Sequence, residues 1–581
     1  MRVRSFFTMF AFIMVSSVIA QPAYDDSPFG INGLKLIHGR EDPNVWVNAV
    51  KTAKVMRDAG IKWDRLELWW SVIEPEKGKF DWSFADKAAR FYKQQGIKAM
   101  VILCYSSAWS KGKPPTDAVE RARYANYVYK VVSRYKDTYK VWEIWNEPNI
   151  PTFWDKPDVK QYTLLLKDAY KAAKRADPTC LVLAGCTSGA DLGFIKGIKK
   201  YGGWDYCDGI SIHPYSMSGG PITQQLDRIL RITQSVISES GKRKELWITE
   251  MGWTTHVPSM NDAQAVYLFQ SYVIALANNV KKLFWFDLVD WAEKWGIVRS
   301  IEPFNPKPAY RAYKTLVRNL DGMVFEGYLK MPISVSCYVF KPKQYTSNIQ
   351  HRRYERLLVL WSNDGYKHEV ALSVDAKSTA WDIMGGKVEI KPSKIPVGNV
   401  PIMLVVPDIR KVGSVSTSYN PYLERERGNL ILNGTLNEIR ESRPWCWSVG
   451  RFDGTAKDGK FAVSVKGWQN SKCVSISKSD KRAAWEAFMV PVISGKRYVL
   501  SAWVRAKEAT GRNYISLLWY SGNMWTYQGE VCSDSIAGTC EWKKVTVCGV
   551  APPEATFVRV NLVSENNSGT VWFDEVFLRE Q

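Results

Sequence analysis

KAMVILCYSSAWSKGKPPTDAVERARYANYVYKVVSRYKDTYKVWEIWNE, residues 98–147, holds one complete strand–helix–strand unit. KAMVILCY (98–105) is a short, nearly continuous apolar run, as a strand covered on both faces requires. DAVERARYANYVYKVVSRY (117–135) opens on an Asp that can accept the first free backbone hydrogens and then repeats apolar residues at helical spacing. VWEIWNE (141–147) is a second strand of the first kind, so the unit builds parallel sheet.

The same alternation extends in both directions. Further strands are predicted at INGLKLIH (31–38), WDRLEL (63–68), CLVLAG (180–185), DGISIH (208–213), ELWITE (245–250) and KKLFWFD (281–287). Between them lie helical stretches such as NVWVNAVKTAKVMRDAG (44–60), FADKAARFYKQQG (84–96), VKQYTLLLKDAYKAAKRAD (159–177) and DAQAVYLFQSYVIALANN (262–279). Eight strands alternating with helices predict an α/β fold, a (β/α)8 barrel occupying residues 21–320.

At 581 residues the chain exceeds one usual core. After about residue 320 the helical period stops, and RLLVLWSND, HEVALSV and IMLVVPD read as a small accessory β-sandwich over 321–408. KVGSVSTSYNPYLERERG, rich in Ser and charge, reads as a linker over 409–428. Residues 429–581 form a second all-β block of the jelly-roll sandwich type. At the other end, Arg2 and Arg4 precede an apolar run closing on Val18 and Ala20, the pattern of a cleaved signal peptide over 1–20. The expected protein is therefore secreted, periplasmic or held at the cell surface, with no membrane span in the mature chain.

Lys and Arg number 79 against 58 Asp and Glu, a charge of +21 that falls to +19 without Arg2 and Arg4. Such a field favours anionic partners, an acidic glycan among them. No nucleic-acid motif or basic helix accompanies it, so nucleic acid is not the expected partner. Among the ten cysteines, Cys532 with Cys540 and Cys446 with Cys473 read as disulfide pairs, while Cys104, Cys180, Cys186 and Cys207 read as buried thiols; none has zinc-like spacing.

Two carboxylates stand out. Glu147 ends the fourth predicted strand and Glu250 the seventh, 103 residues apart, which is three strand–helix units of about 34 residues. Both therefore face one barrel mouth. A pair of carboxyl groups about 5 Å apart is what cleavage of a glycosidic bond with retention needs. The chain resembles glycoside hydrolase clan A, nearest in style to glycoside hydrolase family 39, on Asn146-Glu147-Pro148, Arg65 near the end of the second strand, His213 and Tyr215 in SIHPY, Glu250, and Trp285 in FWFD.

That resemblance implies Glu147 as acid/base and Glu250 as nucleophile. Asn146 would bind the sugar 2-hydroxyl, Arg65 and Tyr215 would hold the nucleophile, and His213 would line the site. Trp285 would form an aromatic floor, with Trp70 and Trp291 as further sugar-stacking rings. The third strand departs from the clan by offering Tyr105 or Ser106 where many members place a His. Glu143 shares strand parity with Glu147 and reads as an inward-facing support, and Asp287 and Asp290 are further carboxylates near the eighth strand. The C-terminal block resembles jelly-roll carbohydrate-binding modules, with Trp445, Trp447, Trp468, Trp485, Trp519 and Trp525 as candidate ligand-face rings. In such modules a structural calcium joins the start to the last strand, which implies Asp574 as a ligand. The chemistry itself requires no cofactor. The implied partner is a polysaccharide or oligosaccharide, and the competing expectation is an inactive barrel used for carbohydrate adhesion.

Overall fold

A computed structural model of the protein describes residues 27–215, 219–239, 241, 244–343, 355–391, 393–451, 459–522 and 526–581. The expected leader, residues 1–20, and Trp525 lie outside them. Eight parallel strands close into a barrel in sequence order. Its first half runs β1 (Phe29–Ile31), α1 (Val45–Asp58), β2 (Trp63–Trp69), α2 (Trp70–Ile73), α3 (Ser83–Gln95), β3 (Lys98–Cys104), α4 (Ala118–Tyr135) and β4 (Val141–Ile144). The second half runs α5 (Val159–Ala176), β5 (Leu181–Ser188), α6 (Leu192–Lys200), β6 (Gly209–His213), α7 (Leu226–Ser238), β7 (Glu245–Met251), α8 (Met260–Ala277) and β8 (Val280–Trp285), with α9 (Pro308–Leu320) closing the ring.

Asp117, Asp158 and Asp191 cap α4, α5 and α6 by accepting hydrogen bonds from backbone N–H groups of the first turn. The first strand lies earlier than expected over 31–38. Asn32 N–H still donates to the Trp285 carbonyl at 2.9 Å, but Gly33 N–H donates to Asp64 Oδ1 at 2.7 Å, so the ladder stops there and a loop begins.

Alternation along the strands sorts the side chains. Trp63, Met100, Val141, Leu183, Trp247 and Phe284 fill the barrel interior, while Leu66, Val101, Trp142 and Ile144 meet the helices outside. Gly30 is required there, because a Cβ would stand 2.6 Å from the Phe284 ring. Two residues further along the inward rows come Arg65 on β2, Glu143 on β4 and Ser211 on β6, so a buried polar layer sits directly above the apolar one.

The middle region is a seven-stranded sheet backed by a two-stranded ribbon, His368–Val370 with Ile395–Val397. Its alternating strands serve two cores: Tyr338, Phe340, Val359 and Trp361 pack with the barrel, and Val335, Val339, Leu358 and Leu360 form a separate cluster. The expected linker is instead built structure. Val415–Ser416 joins the seven-stranded sheet, and Pro421–Gly428 forms the helix α10, capped by the Asn420 side chain and burying Tyr422 and Glu426. Its polar residues are there to meet the barrel, where Glu426 pairs with Arg228 and Arg231 on α7.

The C-terminal region packs a six-stranded antiparallel sheet on a five-stranded one, with Trp447, Trp485 and Trp519 in its core. The disulfide expectation fails: all ten cysteines are free thiols. Cys532 pairs across from Ser516 in the six-stranded sheet and Cys540 from Ala506 in the five-stranded sheet, so the two belong to opposite layers. Cys446 adjoins the six-stranded sheet and Cys473 lies in the five-stranded one. The thiols of Cys104, Cys180, Cys186 and Cys207 are buried in the barrel as expected. No helix among the described residues is long and apolar enough to cross a membrane.

Candidate active site

At the end of β4 the chain turns sharply. Trp145 and Glu147 take left-handed backbone conformations (φ 69° and 40°), as do Tyr105 after β3 and Cys186 within β5 (φ 64° and 45°). Four such non-glycine residues at one barrel rim store strain where function concentrates. The turn is held by Glu147 N–H donating to the Cys186 carbonyl at 2.9 Å. It swings the Glu147 side chain over the polar layer.

Arg65 ties that layer together. Its Nε and Nη2 donate to Glu143 Oε2 at 3.0 and 2.8 Å, Nη2 also to Asn146 Oδ1 at 3.0 Å, and Nη1 to Glu250 Oε1 at 2.5 Å. Tyr215 donates its hydroxyl to the other Glu250 oxygen at 3.0 Å. His213 bridges the two halves, with Nδ1 2.9 Å from Glu147 Oε1 and 3.8 Å from Glu250 Oε2, and Nε2 3.0 Å from Thr249 Oγ1. One oxygen of Glu147, one of Glu250 and a His213 nitrogen all lie within 4.8 Å of one another.

The electrostatics follow from these contacts. Burial acts to raise the Glu143 pKa, but the Arg65 and His213 charges overcome it and hold the carboxyl below its usual range. Burial acts to lower the pKa of His213, yet the Glu250 charge, Cys186 and the Glu147 hydrogen bond push it well above the ordinary value. Arg65 is likewise held charged by Glu143 and Glu250 against its own desolvation. Two buried cations, Arg65 and His213, thus face the three carboxyl groups of Glu143, Glu147 and Glu250.

Above the pair opens a cavity of about 440 Å³ lined by Asn32, Lys35, Tyr105, Phe153, Phe286 and Trp291. Lys35 sits 4.6 Å over the Phe286 ring and 4.7 Å over Trp291 while pairing with Asp287, whose carboxyl is pushed up to about 6 by burial despite that cation.

Two groups of ligand-type side chains occur among the described residues, Glu147-His213-Glu250 and Glu143-Cys186-His213. The Arg65 guanidinium is bonded to both Glu143 and Glu250, so the charge a metal would supply is already present. Asp574 does not fit a cation either. Its carboxylate accepts from the backbone N–H groups of Trp468 and Glu575 and from the Ser471 hydroxyl, so donors crowd it where a calcium ion needs further oxygens.

Residues 50–184 match the model of Glycosyl hydrolase family 10. A solved family 39 glycoside hydrolase from the gut symbiont Bacteroides cellulosilyticus superposes with a TM-score of 0.52 at 25% identity, covering 61% of this chain and 77% of that one. The chain is a glycoside hydrolase of the clan A type. The endo-1,4-beta-xylanase 3 of Hypocrea jecorina is 23% identical over 296 residues, 48% of this chain and 81% of that protein. The endo-1,4-beta-xylanase/feruloyl esterase of Xylanibacter ruminicola is 34% identical over 83 residues, 13% of this chain, and the match spans only 11% of that relative.

Within this hydrolase the structure brings Arg65, Asn146, Glu147, His213, Tyr215 and Glu250 together, and Trp291 reaches the cavity wall. Trp285 and Trp70 do not. Alternation on β8 turns Phe284 inward and Trp285 outward, where it is fully buried 5.7 Å from Trp253. Trp70 is fully buried in α2 and stacks on Tyr127. Asp290 is held away by Lys307 at 2.7 Å. Sequence reasoning missed Lys35 and Phe286 as cavity walls and Cys186 as a contact of Asn146 and His213. The Cys186 position depends on a register shift between Gly185 and Thr187, for which the sequence carries no signal. Lys35 was hidden by the misplaced first strand.

Proposed function

We propose that this enzyme hydrolyses β-1,4-xylosidic bonds of an acidic, extracellular xylan-type polysaccharide with retention of configuration. Glu147 is the acid/base and Glu250 the nucleophile. The observation that carries this reading is the approach of the two carboxyl groups to within 4.8 Å, close to the separation of about 5 Å that double displacement uses. The family 10 match and the two xylanase relatives favour a xylan chain, and the net charge of +21 favours one bearing uronic acid groups.

In the first step Glu147 gives its proton to the departing glycosidic oxygen as that C–O bond breaks. A Glu250 oxygen bonds to the anomeric carbon and becomes part of a neutral ester. Arg65 and Tyr215 aim and stabilise Glu250 as the anion it must be at attack. In the second step Glu147, now a carboxylate, takes a proton from water as the water oxygen displaces Glu250. Asn146, turned toward the cavity beside Arg65, is the group that meets the 2-hydroxyl. The leader-like residues 1–20 support export to where such a polymer is met.

The test is the anomer first released from a xylo-oligosaccharide, followed by proton magnetic resonance. The β-anomer is expected, and turnover by Glu250→Ala is expected to fall at least about a thousandfold. Release of the α-anomer, or a Glu250→Ala variant as fast as the parent, overturns the assignment.

A further inference from the structure

One carboxylate in the active-site cavity has no part in the double displacement. Inward positions along β2 run Trp63, Arg65, Glu67, so Glu67 stands one step above the polar layer that Arg65 ties together. Two residues of strand rise about 7 Å, which sets the Glu67 carboxyl at the height of a sugar ring lying over that layer. Glu67 lines the same cavity as Asn146, Glu147 and Glu250 and keeps 22% of its side chain exposed.

The protein itself offers this group few donors. His38 Nε2 lies 3.2 Å from Oε1, and Trp69 Nε1 donates to Oε2 at 2.6 Å. Among the described residues His38 is its one ion-pair contact, and no Lys or Arg pairs with it directly. Burial acts to raise its pKa, but the His38 hydrogen bond and charge, the Arg65 charge and the Trp69 bond outweigh burial and hold the carboxyl below its usual range. An ionised carboxylate accepts about four hydrogen bonds, so about two places are left for the cavity. A carboxylate walled in on most sides costs free energy until donors fill such places.

The chemistry of a xylan chain says which donor that is. An internal β-1,4-linked xylose has its 1- and 4-oxygens in glycosidic bonds and its 5-oxygen in the ring, so its only hydroxyls are the 2- and the 3-hydroxyl. Asn146, in the proposed mechanism, meets the 2-hydroxyl. We propose that Glu67 determines specificity by accepting a hydrogen bond from the 3-hydroxyl of the ring whose anomeric carbon reacts. A xylose substituted on its 3-oxygen has no hydrogen to give and sets its substituent against a carboxylate. Cleavage is therefore confined to bonds whose reacting ring is free at that oxygen. The inference rests on the xylan reading for the identity of the ring, and on the placement of Glu67 for the contact.

The test is steady-state kinetics of the full chain on 4-nitrophenyl β-xylobioside and on its forms lacking the 3-hydroxyl or the 2-hydroxyl of the ring bonded to nitrophenol. Loss of the 3-hydroxyl is expected to lower kcat/KM of the parent at least about a hundredfold, and Glu67→Ala to lower it as much on the complete substrate. On the 3-deoxy substrate parent and variant should agree to within about threefold, because the contact is already gone, while on the 2-deoxy substrate the loss from Glu67→Ala should persist. Glu67→Gln keeps the shape and one acceptor oxygen; it is expected to show the same pattern at smaller size and decides the matter if Glu67→Ala fails to fold. A variant as fast as the parent overturns the assignment, as does a loss equally large on the complete and 3-deoxy substrates, or one that vanishes on the 2-deoxy substrate instead. A parent that cleaves another 4-nitrophenyl glycoside and no xyloside would sink the xylan reading, and the 3-deoxy form of that glycoside would then judge Glu67 by the same comparison. A parent that cleaves no glycoside overturns both.

Discussion

Arg65 holds the acidic layer in order because a guanidinium can serve several carboxyl oxygens at fixed angles, whereas an ammonium is a single point of charge. One fork is spent on Glu143, and the remaining nitrogen reaches Glu250. Arg65→Lys keeps the charge but loses the geometry, so kcat is expected to fall about a hundredfold with KM little changed, by steady-state kinetics on a xylo-oligosaccharide. A fall confined to KM would show that Arg65 binds substrate instead. At this scale much was legible in the sequence. Strand-end position and neighbouring residue types brought out Glu147 and Glu250, and the resemblance to glycoside hydrolase clan A added Asn146, Arg65, His213 and Tyr215, which the structure gathers beside them. Trp285 was misread because FWF offers three aromatics, and one residue of parity decides which of them meets the substrate. Trp70 was misread because a ring beside a strand end is as readily claimed by a helix packing above it.

Among the elements, the loop after β1 shows how a buried acid can replace a strand. Asp64 is fully buried, and burial raises its carboxyl from 3.8 to about 6 despite hydrogen bonds from Tyr92 and Gly33. Between those two values the folded state holds a proton that the unfolded chain has lost, so the contribution of Asp64 to stability is fully present below about pH 4 and is lost as pH rises through about 6. A shift of about two units corresponds to about 3 kcal/mol. Asp64→Asn should remove that part of the decline, measured as a flatter pH dependence of urea midpoints between pH 4 and 7; an unchanged slope would refute it. The remaining element boundaries were mostly readable from period and caps, β2 to β8 falling within a few residues of expectation. The helix α10 was the exception. Asn420 followed by Pro421 is a helix start that the sequence displays, but the Ser-rich and charged flanks spoke for a linker and concealed partners on a distant helix.

Across the whole molecule, Arg228 on α7 joins parts that the sequence left separate. Its guanidinium donates to Glu426 at 2.9 Å, to Glu580 at 3.0 Å and to the Pro491 carbonyl at 2.9 Å. Nothing in local composition announces such a hub, because its partners lie 198 to 352 residues away. Arg228→Ala leaves the buried Glu426 with Arg231 alone and takes the donors from Glu580 and the Pro491 carbonyl, and should cost about 3 kcal/mol, read as a lower calorimetric unfolding temperature with the barrel and C-terminal sandwich still melting together. Two separated transitions in the parent protein would contradict the shared unit.

The C-terminal sandwich meets α7 at both its entry and its exit, since Gln225 donates to the Leu430 carbonyl while Arg228 grips Glu580. A body fastened at both ends of its own chain has no tether to swing on. Its faces therefore keep one bearing toward the barrel mouth, and neither part can turn without dragging α7 with it.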